Sequence, residues 1–136
     1  MLLIILKLLL AILLSSILTV PMPFPLFVQP ALAEAQTDTQ QIQTVVVRQL
    51  TTPGLPADAN PRVTHIAIVQ NYAIAGWLLG EGGGEMLLVK REGKWQVLTG
   101  GGGAMNTTTL VEKGVPENIA MQLVRQYQKQ WNQRGQ

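Results

Sequence analysis

The sequence predicts an α+β fold with an N-terminal helix, a four-stranded antiparallel β-meander, and C-terminal helices packed on one sheet face. Residues 63–99 alternate with a period of two and are interrupted by short turn sequences. Apolar residues at helical spacing precede this block, and a second helical pattern follows Pro116. An unbroken run of strands bounded by helices is typical of α+β folds, and we expect the helices to cover one face of the sheet.

The first 33 residues differ in character from the rest of the chain. Residues 1–20 are almost wholly apolar, prolines follow, and Ala31-Leu32-Ala33 has the small-x-small pattern of a processing site. Residues 1–33 are therefore predicted to be a signal peptide cleaved after Ala33, which leaves a single domain at 34–136. An uncleaved membrane anchor is the alternative, since about 20 apolar residues can span a bilayer. Either interpretation predicts an exported protein, periplasmic or extracellular.

Composition excludes several classes of function. The ten Lys and Arg of the chain include Lys7, so nine remain after the leader against eight Asp and Glu. These charges are scattered, which argues against nucleic acid as a partner. Residues 34–136 contain no serine and no cysteine, so neither side chain can serve as a nucleophile there. The fold must also form without disulfides.

The first half of the domain is predicted as a helix, a loop and two strands. Apolar residues at helical spacing predict a helix over Thr39–Leu50, and prolines make residues 51–62 a loop. A first strand begins at Val63 and turns at Gln70-Asn71. Its alternation places four residues on one face: Val63, His65, Ala67 and Val69. The second strand, 72–79, is apolar on both faces, which is typical of a central strand covered on both sides or of one at an interface.

Two glycine runs flank the next pair of predicted strands. Residues 80–84 are predicted to connect to a third strand, 85–91, and Glu92-Gly93 is a compact turn leading to the fourth strand, 94–99. Residues 100–103 form the second glycine-rich loop. We expect the exposed loops to contact a partner, through Gly82, Gly83, Gly101 and Gly102.

The C-terminal part is predicted to be helical. Asn106 and the threonines after it can cap a short helix over residues 110–113, which Gly114 ends. Pro116 suits the start of a long final helix. The apolar stripe of that helix consists of Ile119, Ala120, Leu123, Val124, Tyr127 and Trp131.

Several short motifs recur in a known family. They are an A-x-A-G-W strand (73–77), a glycine turn, an L-L-x-K strand, a G-K-W turn and strand, and a G-V-P helix start. Over roughly residues 67–128 the chain resembles small exported bacterial proteins known as copper uptake system-associated proteins. The resemblance implies a link to copper homeostasis, with copper as a possible cofactor. That family has a cysteine near the end of the fourth strand, where this chain has Thr99, and the difference weakens the implied copper binding.

Three candidate sites have structural alternatives. His65, Met86 and Met105, with Met121 as a further soft ligand, could hold copper(I), although methionine is a common core residue. Glu81 and Glu85 could form an acid–base pair, but charged residues beside a turn are more often simply solvated. The aromatic residues Tyr72, Trp77 and Trp95 could form a binding surface, and the alternative is that they are cross-strand neighbours.

The sequence thus favours a non-catalytic exported envelope protein that acts as a binding or accessory module, and the resemblance implies a link to copper or metal homeostasis. The alternative is a periplasmic inhibitor or protein-interaction module that docks through its glycine-rich loops. A small hydrolase using Glu81 and Glu85 ranks last, because no neighbouring residue is expected to tune either carboxylate.

Overall fold

The structure is a computed structural model that describes residues 30–134, with side chains described for 34–133. Four strands form one antiparallel sheet in the order β1-β2-β3-β4, so the predicted α+β meander is confirmed. The elements are α1 (Pro30–Leu50), a 3-10 turn (Ala57–Ala59), β1 (Arg62–Val69), β2 (Tyr72–Leu79), β3 (Gly82–Arg91), β4 (Lys94–Gly101), α2 (Thr107–Glu112) and α3 (Glu117–Arg134).

Most of the predicted signal peptide, residues 1–29, lies outside the described residues, and residues 30–33 form the start of α1. Within the described part of the chain, no helix is both long and apolar enough to cross a membrane.

Helices cover both faces of the sheet. The α3 face carries a buried cluster that joins α2 and α3 to the sheet and includes Ile74, Leu87 and Leu123. The α1 face carries a second cluster, which includes Val46, Ala73 and Leu88. The predicted placement of helices on one face therefore holds for α2 and α3, whereas α1 covers the opposite face. This arrangement explains why β2 is apolar on both faces.

Helix α1 begins at Pro30, nine residues before the predicted start at Thr39. The side chains of residues 34–37 are exposed, so hydrophobic periodicity could not reveal this part of the helix. Asp38 fixes this end to the sheet, because it accepts a hydrogen bond from Trp95 Nε1 at 3.0 Å and pairs with Lys90 Nζ at 2.8 Å. Burial alone would raise the pKa of Asp38, but these two hydrogen bonds and the Lys90 charge outweigh it and lower the pKa.

A bulge at the start of β1 changes one predicted side-chain direction. The register between β1 and β2 shifts between Val63 and His65. Because a bulge adds one residue to its strand, Val63 packs on the α1 face while His65, Ala67 and Val69 keep their predicted common face. The prediction that Val63 shares that face is wrong.

The two glycine runs are largely strand rather than loop, which corrects the predicted bounds of β3 and β4. Only Gly80-Glu81 forms the turn after β2, since Leu79 already pairs with Gly82. Close backbone approach explains the glycines. A Cβ on Gly84 would overlap the carbonyl of Gly101, and one on Gly83 would lie 2.8 Å from the Leu78 side chain.

The other predicted turns and helix starts are confirmed, although α2 spans Thr107–Glu112 and so begins three residues before the predicted 110–113. Gln70-Asn71 and Glu92-Gly93 form tight turns, and the second has φ values of 50° and 74°, which suit the twist of paired strands. Asn106 caps α2 by accepting a hydrogen bond from the Thr109 amide at 2.9 Å. Helix α3 begins directly after Pro116.

Candidate binding site

The sheet register places three residues of different strands in one row on the α3 face. His65 of β1 pairs with Gly76 of β2, and Gly76 pairs with Glu85 of β3. Directly paired residues project their side chains from the same face. Since neighbouring strands lie about 4.8 Å apart, His65 and Glu85 flank a gap about 10 Å wide that Gly76 leaves open.

Tyr127 of α3 fills this gap. Any Cβ on residue 76 would overlap the Tyr127 hydroxyl and would lie 2.7 Å from Thr64 Oγ1, so the ring fits only because residue 76 is glycine. The Tyr127 hydroxyl is hydrogen-bonded to the Glu85 carboxylate. Burial, followed by the charge of Glu85 and this hydrogen bond, raises the pKa of Tyr127 to about 12. Tyr127 is thus a neutral donor at physiological pH.

Glu85 receives a second hydrogen bond from the segment before α2. The Met105 amide donates to Glu85 Oε2 at 2.5 Å, and the Met105 side chain packs against the α3-face cluster. Glu85 therefore links β3 to α3 and to the segment before α2. A carboxylate has about four acceptor positions, so these two bonds leave others open.

Trp131 lies one helical turn beyond Tyr127 and is 62% exposed. Its ring centroid lies 5.2 Å from that of His65, and His65 in turn makes an edge contact with Tyr127 at 5.9 Å. Gln130 anchors this end of α3 by donating from Nε2 to the Ile66 carbonyl at 2.8 Å. Trp131 was predicted within the apolar stripe, but it extends past the core because α3 outruns the cluster beneath it.

Two adjoining cavities open around these residues. They have volumes of about 450 and 430 Å³, and both are lined by Glu85, Tyr127 and Trp131. The larger also meets Met105 and Val124, while the other meets Thr64, His65 and the β3 glycines. Together they form one site, which we call the α3 cleft. Each volume falls within the range of small-molecule sites.

The predicted metal ligands are separated by the sheet. Met86 is buried in the α1-face cluster, whereas Met105 lies on the α3 face, where His65 contacts Tyr127. Met121 is 47% exposed on α3. His65, Met86 and Met105 therefore cannot form a single site. Met86 follows Glu85 in β3, and because consecutive residues of a strand face opposite ways, its side chain lies on the other side of the sheet. Across the described residues, no group of three or more His, Asp or Glu side chains could hold a metal ion.

The predicted partner-contact glycines lie at the end of the sheet beside the α3 cleft. Gly82 and Gly83 begin β3, Gly101 ends β4, and Gly102 follows it; all four are exposed. Gly83, with its neighbour Gly84, lines the smaller cavity. These positions thus border the cleft instead of forming separate loops.

The other candidate residues have different surroundings from one another. Glu81 is exposed in the turn after β2, while Glu85 points into the cleft. Trp95 is buried on the α1 face. Trp77 packs against the same cluster but also lines the smaller cavity of the cleft, and Tyr72 packs on the α3 face. These three aromatic residues therefore do not share one surface.

Sequence reasoning did not identify the contact of Tyr127 with Glu85 or that of Trp131 with His65. Placing the turn at Gln70-Asn71 already fixes His65 opposite Gly76. Placing the next turn at Gly80-Glu81 would have put Glu85 in the same row. Comparison of the chain with protein-family models, with curated proteins and with solved structures found no match.

Proposed function

We propose that the chain is an exported, non-catalytic binding or accessory protein and that the α3 cleft is its binding surface. The observation that carries this proposal is the exposed Trp131 ring beside a partly buried carboxylate, Glu85, at the mouth of two adjoining cavities. An exposed aromatic ring next to a concave, largely apolar site is typical of ligand sites.

The chemistry of the cleft supports binding more than catalysis. Glu85 already accepts hydrogen bonds from the Met105 amide and the Tyr127 hydroxyl, and the pKa of Tyr127 is raised to about 12, so that Tyr127 keeps its proton at physiological pH. A general acid or base works best with a pKa near the operating pH. Neither serine nor cysteine occurs between residues 34 and 136.

Retention of small molecules tests this proposal. The purified chain is dialysed against a small-molecule extract of cells, and retained compounds are identified by mass spectrometry. We expect at least one compound to be enriched by the wild type and lost with Trp131→Ala. Met121→Ala is the matched control, since Met121 is also exposed on α3 but does not line the cleft. Enrichment that Trp131→Ala leaves unchanged would contradict the proposal.

Metal binding is a second candidate, favoured by the position of two predicted ligands. His65 and Met105 lie on the same face and line adjoining cavities. Copper(I) accepts imidazole and thioether ligands. Titration with copper(I) should then show weaker binding by His65→Ala and by Met105→Leu. Met86→Leu, whose side chain lies on the other face, is the control and should bind as the wild type does. Equal binding by all variants, or none by the wild type, would remove this candidate.

Docking of a partner protein is the alternative use of the same region. Gly82, Gly83, Gly101 and Gly102 border the cleft, so a partner at the sheet end would also cover Trp131. Export is supported by the apolar leader and the Ala31-Leu32-Ala33 pattern. N-terminal sequencing of the protein from the envelope fraction should give Glu34 as the first residue, and an intact leader would favour the anchor.

A further inference from the structure

We infer that the α3 cleft binds an organic cation, an amine or guanidine carrying an apolar body. The inference rests on the proposed function and specifies the ligand class. Three features of the cleft point to it: a partly buried carboxylate, an exposed indole face, and an apolar cavity beside them.

The first feature is the charge of Glu85. It is the one carboxylate that lines either cavity, and within the described part of the chain no lysine or arginine lines them. Its described hydrogen bonds come from an amide and a phenol, which are neutral donors. A partly buried carboxylate that no described lysine or arginine of the cleft neutralises favours a cation more strongly than one in water, because the local dielectric constant is lower.

The second feature is the arrangement of the aromatic rings. Tyr127 lies next to the Glu85 carboxylate, and Trp131 lines both cavities that Glu85 lines. Contact with His65 on one side of Trp131 orients the indole, while 62% of the residue remains accessible. Indole is the best side chain for cation–π attraction. The ring and the carboxylate thus select the same charge.

The third feature is the apolar lining of the larger cavity. Ala104, Met105 and Val124 line it, and Gln128 and Asn132 are its polar neighbours. A ligand with its cationic group at Glu85 could place a hydrocarbon or aromatic body against these side chains. A bare metal ion or a small inorganic cation would leave this surface unused.

The test uses three probes of similar shape and different charge. Phenethylammonium is titrated into ¹⁵N-labelled protein, with neutral 2-phenylethanol and anionic phenylacetate as controls. We expect binding of the cation with a Kd of about 1 mM or lower and at least about tenfold weaker binding of the other two. The reporters are the indole N–H of Trp131 and the Met105 amide, which is bonded to Glu85.

Variants assign the effect to the cleft. Glu85→Gln keeps the size and acceptor oxygen of the side chain but removes its charge, and should weaken phenethylammonium binding by about tenfold or more. Glu81→Gln is the matched control, since Glu81 is exposed in the nearby turn and should change binding less than about twofold. Trp131→Ala should weaken binding by about threefold or more. The indole N–H of Trp95, bonded to Asp38 on the other face, reports that each variant is folded.

A parallel titration with blocked lysine and arginine residues, as N-acetyl amides, identifies the source of the cation. Preference for phenethylammonium supports a free amine as ligand, and preference for a blocked residue supports a basic side chain of another protein. Equal binding of the neutral probe, or no effect of Glu85→Gln in a folded variant, would overturn the inference. In that case a neutral or anionic compound retained through Trp131 would still uphold the proposed binding function.

Discussion

Gly76→Ala is predicted to push Tyr127 away from Glu85 and to destabilise the fold. The added Cβ would overlap the Tyr127 hydroxyl and lie 2.7 Å from Thr64 Oγ1. Overpacking of this kind costs about 1–3 kcal/mol, and the lower entropy of the unfolded chain returns about 0.4–1 kcal/mol. We therefore expect a net loss of about 1–2 kcal/mol in the free energy of unfolding.

Tyr127→Phe should interact strongly with this change. Alone, it removes the hydrogen bond to Glu85 and should cost about 1–2 kcal/mol. In the Gly76→Ala background the clashing hydroxyl is absent, and the nearest ring carbon, Cζ, lies 3.3 Å from the Cβ. In that background Tyr127→Phe should therefore lower the free energy of unfolding very little, which gives a coupling energy of about 1 kcal/mol between the two substitutions.

Urea unfolding followed by circular dichroism measures all four free energies of this cycle. Gly101→Ala is the matched control, because nothing lies within 4 Å of a Cβ at that position, and it should leave stability unchanged or raise it slightly. Two results would show that Tyr127 does not occupy the gap over Gly76. One is that Gly76→Ala is as stable as Gly101→Ala, and the other is that the effects of Gly76→Ala and Tyr127→Phe are additive.

Three further predictions concern packing and ionisation. Leu123→Ala should lower the free energy of unfolding by about 2–5 kcal/mol, because Leu123 is fully buried, while exposed Met121→Ala should cost about 0.5 kcal/mol or less by the same urea assay. Absorbance at 295 nm should show a tyrosine with a pKa of about 12 that Tyr127→Phe removes. Because the folded pKa exceeds the ordinary value of 10.0, the free energy of unfolding of the wild type should decrease as the pH rises from 10.0 to about 12. The decrease should be about 1–2 kcal/mol after allowance for solvent screening. A free energy of unfolding that stays constant over this range would contradict the raised pKa. Asp38→Asn should be less stable than the wild type above the ordinary Asp pKa of 3.8, and the difference should narrow as the pH falls below 3.8. The reason is that the contacts that lower the pKa of Asp38 stabilise only its ionised form. An equal difference in urea midpoint at all pH values would contradict this prediction.

Much of the fold could be predicted because periodicity and turn chemistry are local signals. Alternation placed β1 and β2, and Glu92-Gly93 placed the hairpin between β3 and β4. The bulge after Val63 could not be predicted in this way, because it changes the register without changing the alternation of the residues that follow. The early turns of α1 were missed since their described attachments to the sheet are polar: Asp38 contacts Trp95 and Lys90, and Glu34 lies 3.9 Å from Lys90.

The candidate site was only partly predictable. His65 and Glu85 were identified as candidates, but their neighbours depend on where α3 lies over the sheet, and a helical stripe does not specify that position. The glycine runs were predicted to be loops because glycine in a sequence signals both turns and close backbone approach. Gly84 and Gly101 belong to the second kind, and only the pairing of β3 with β4 reveals it.

The central claim is that the α3 cleft is the binding surface of this protein. Mapping fragment binding by ¹H–¹⁵N chemical shifts on the purified chain tests this claim most directly. We predict that the largest shifts will cluster at Glu85, Met105, Tyr127 and Trp131. Shifts that cluster instead at the shallow cavity along α1, lined by Gln43, Thr44, Val47, Arg48 and Thr51, would contradict it.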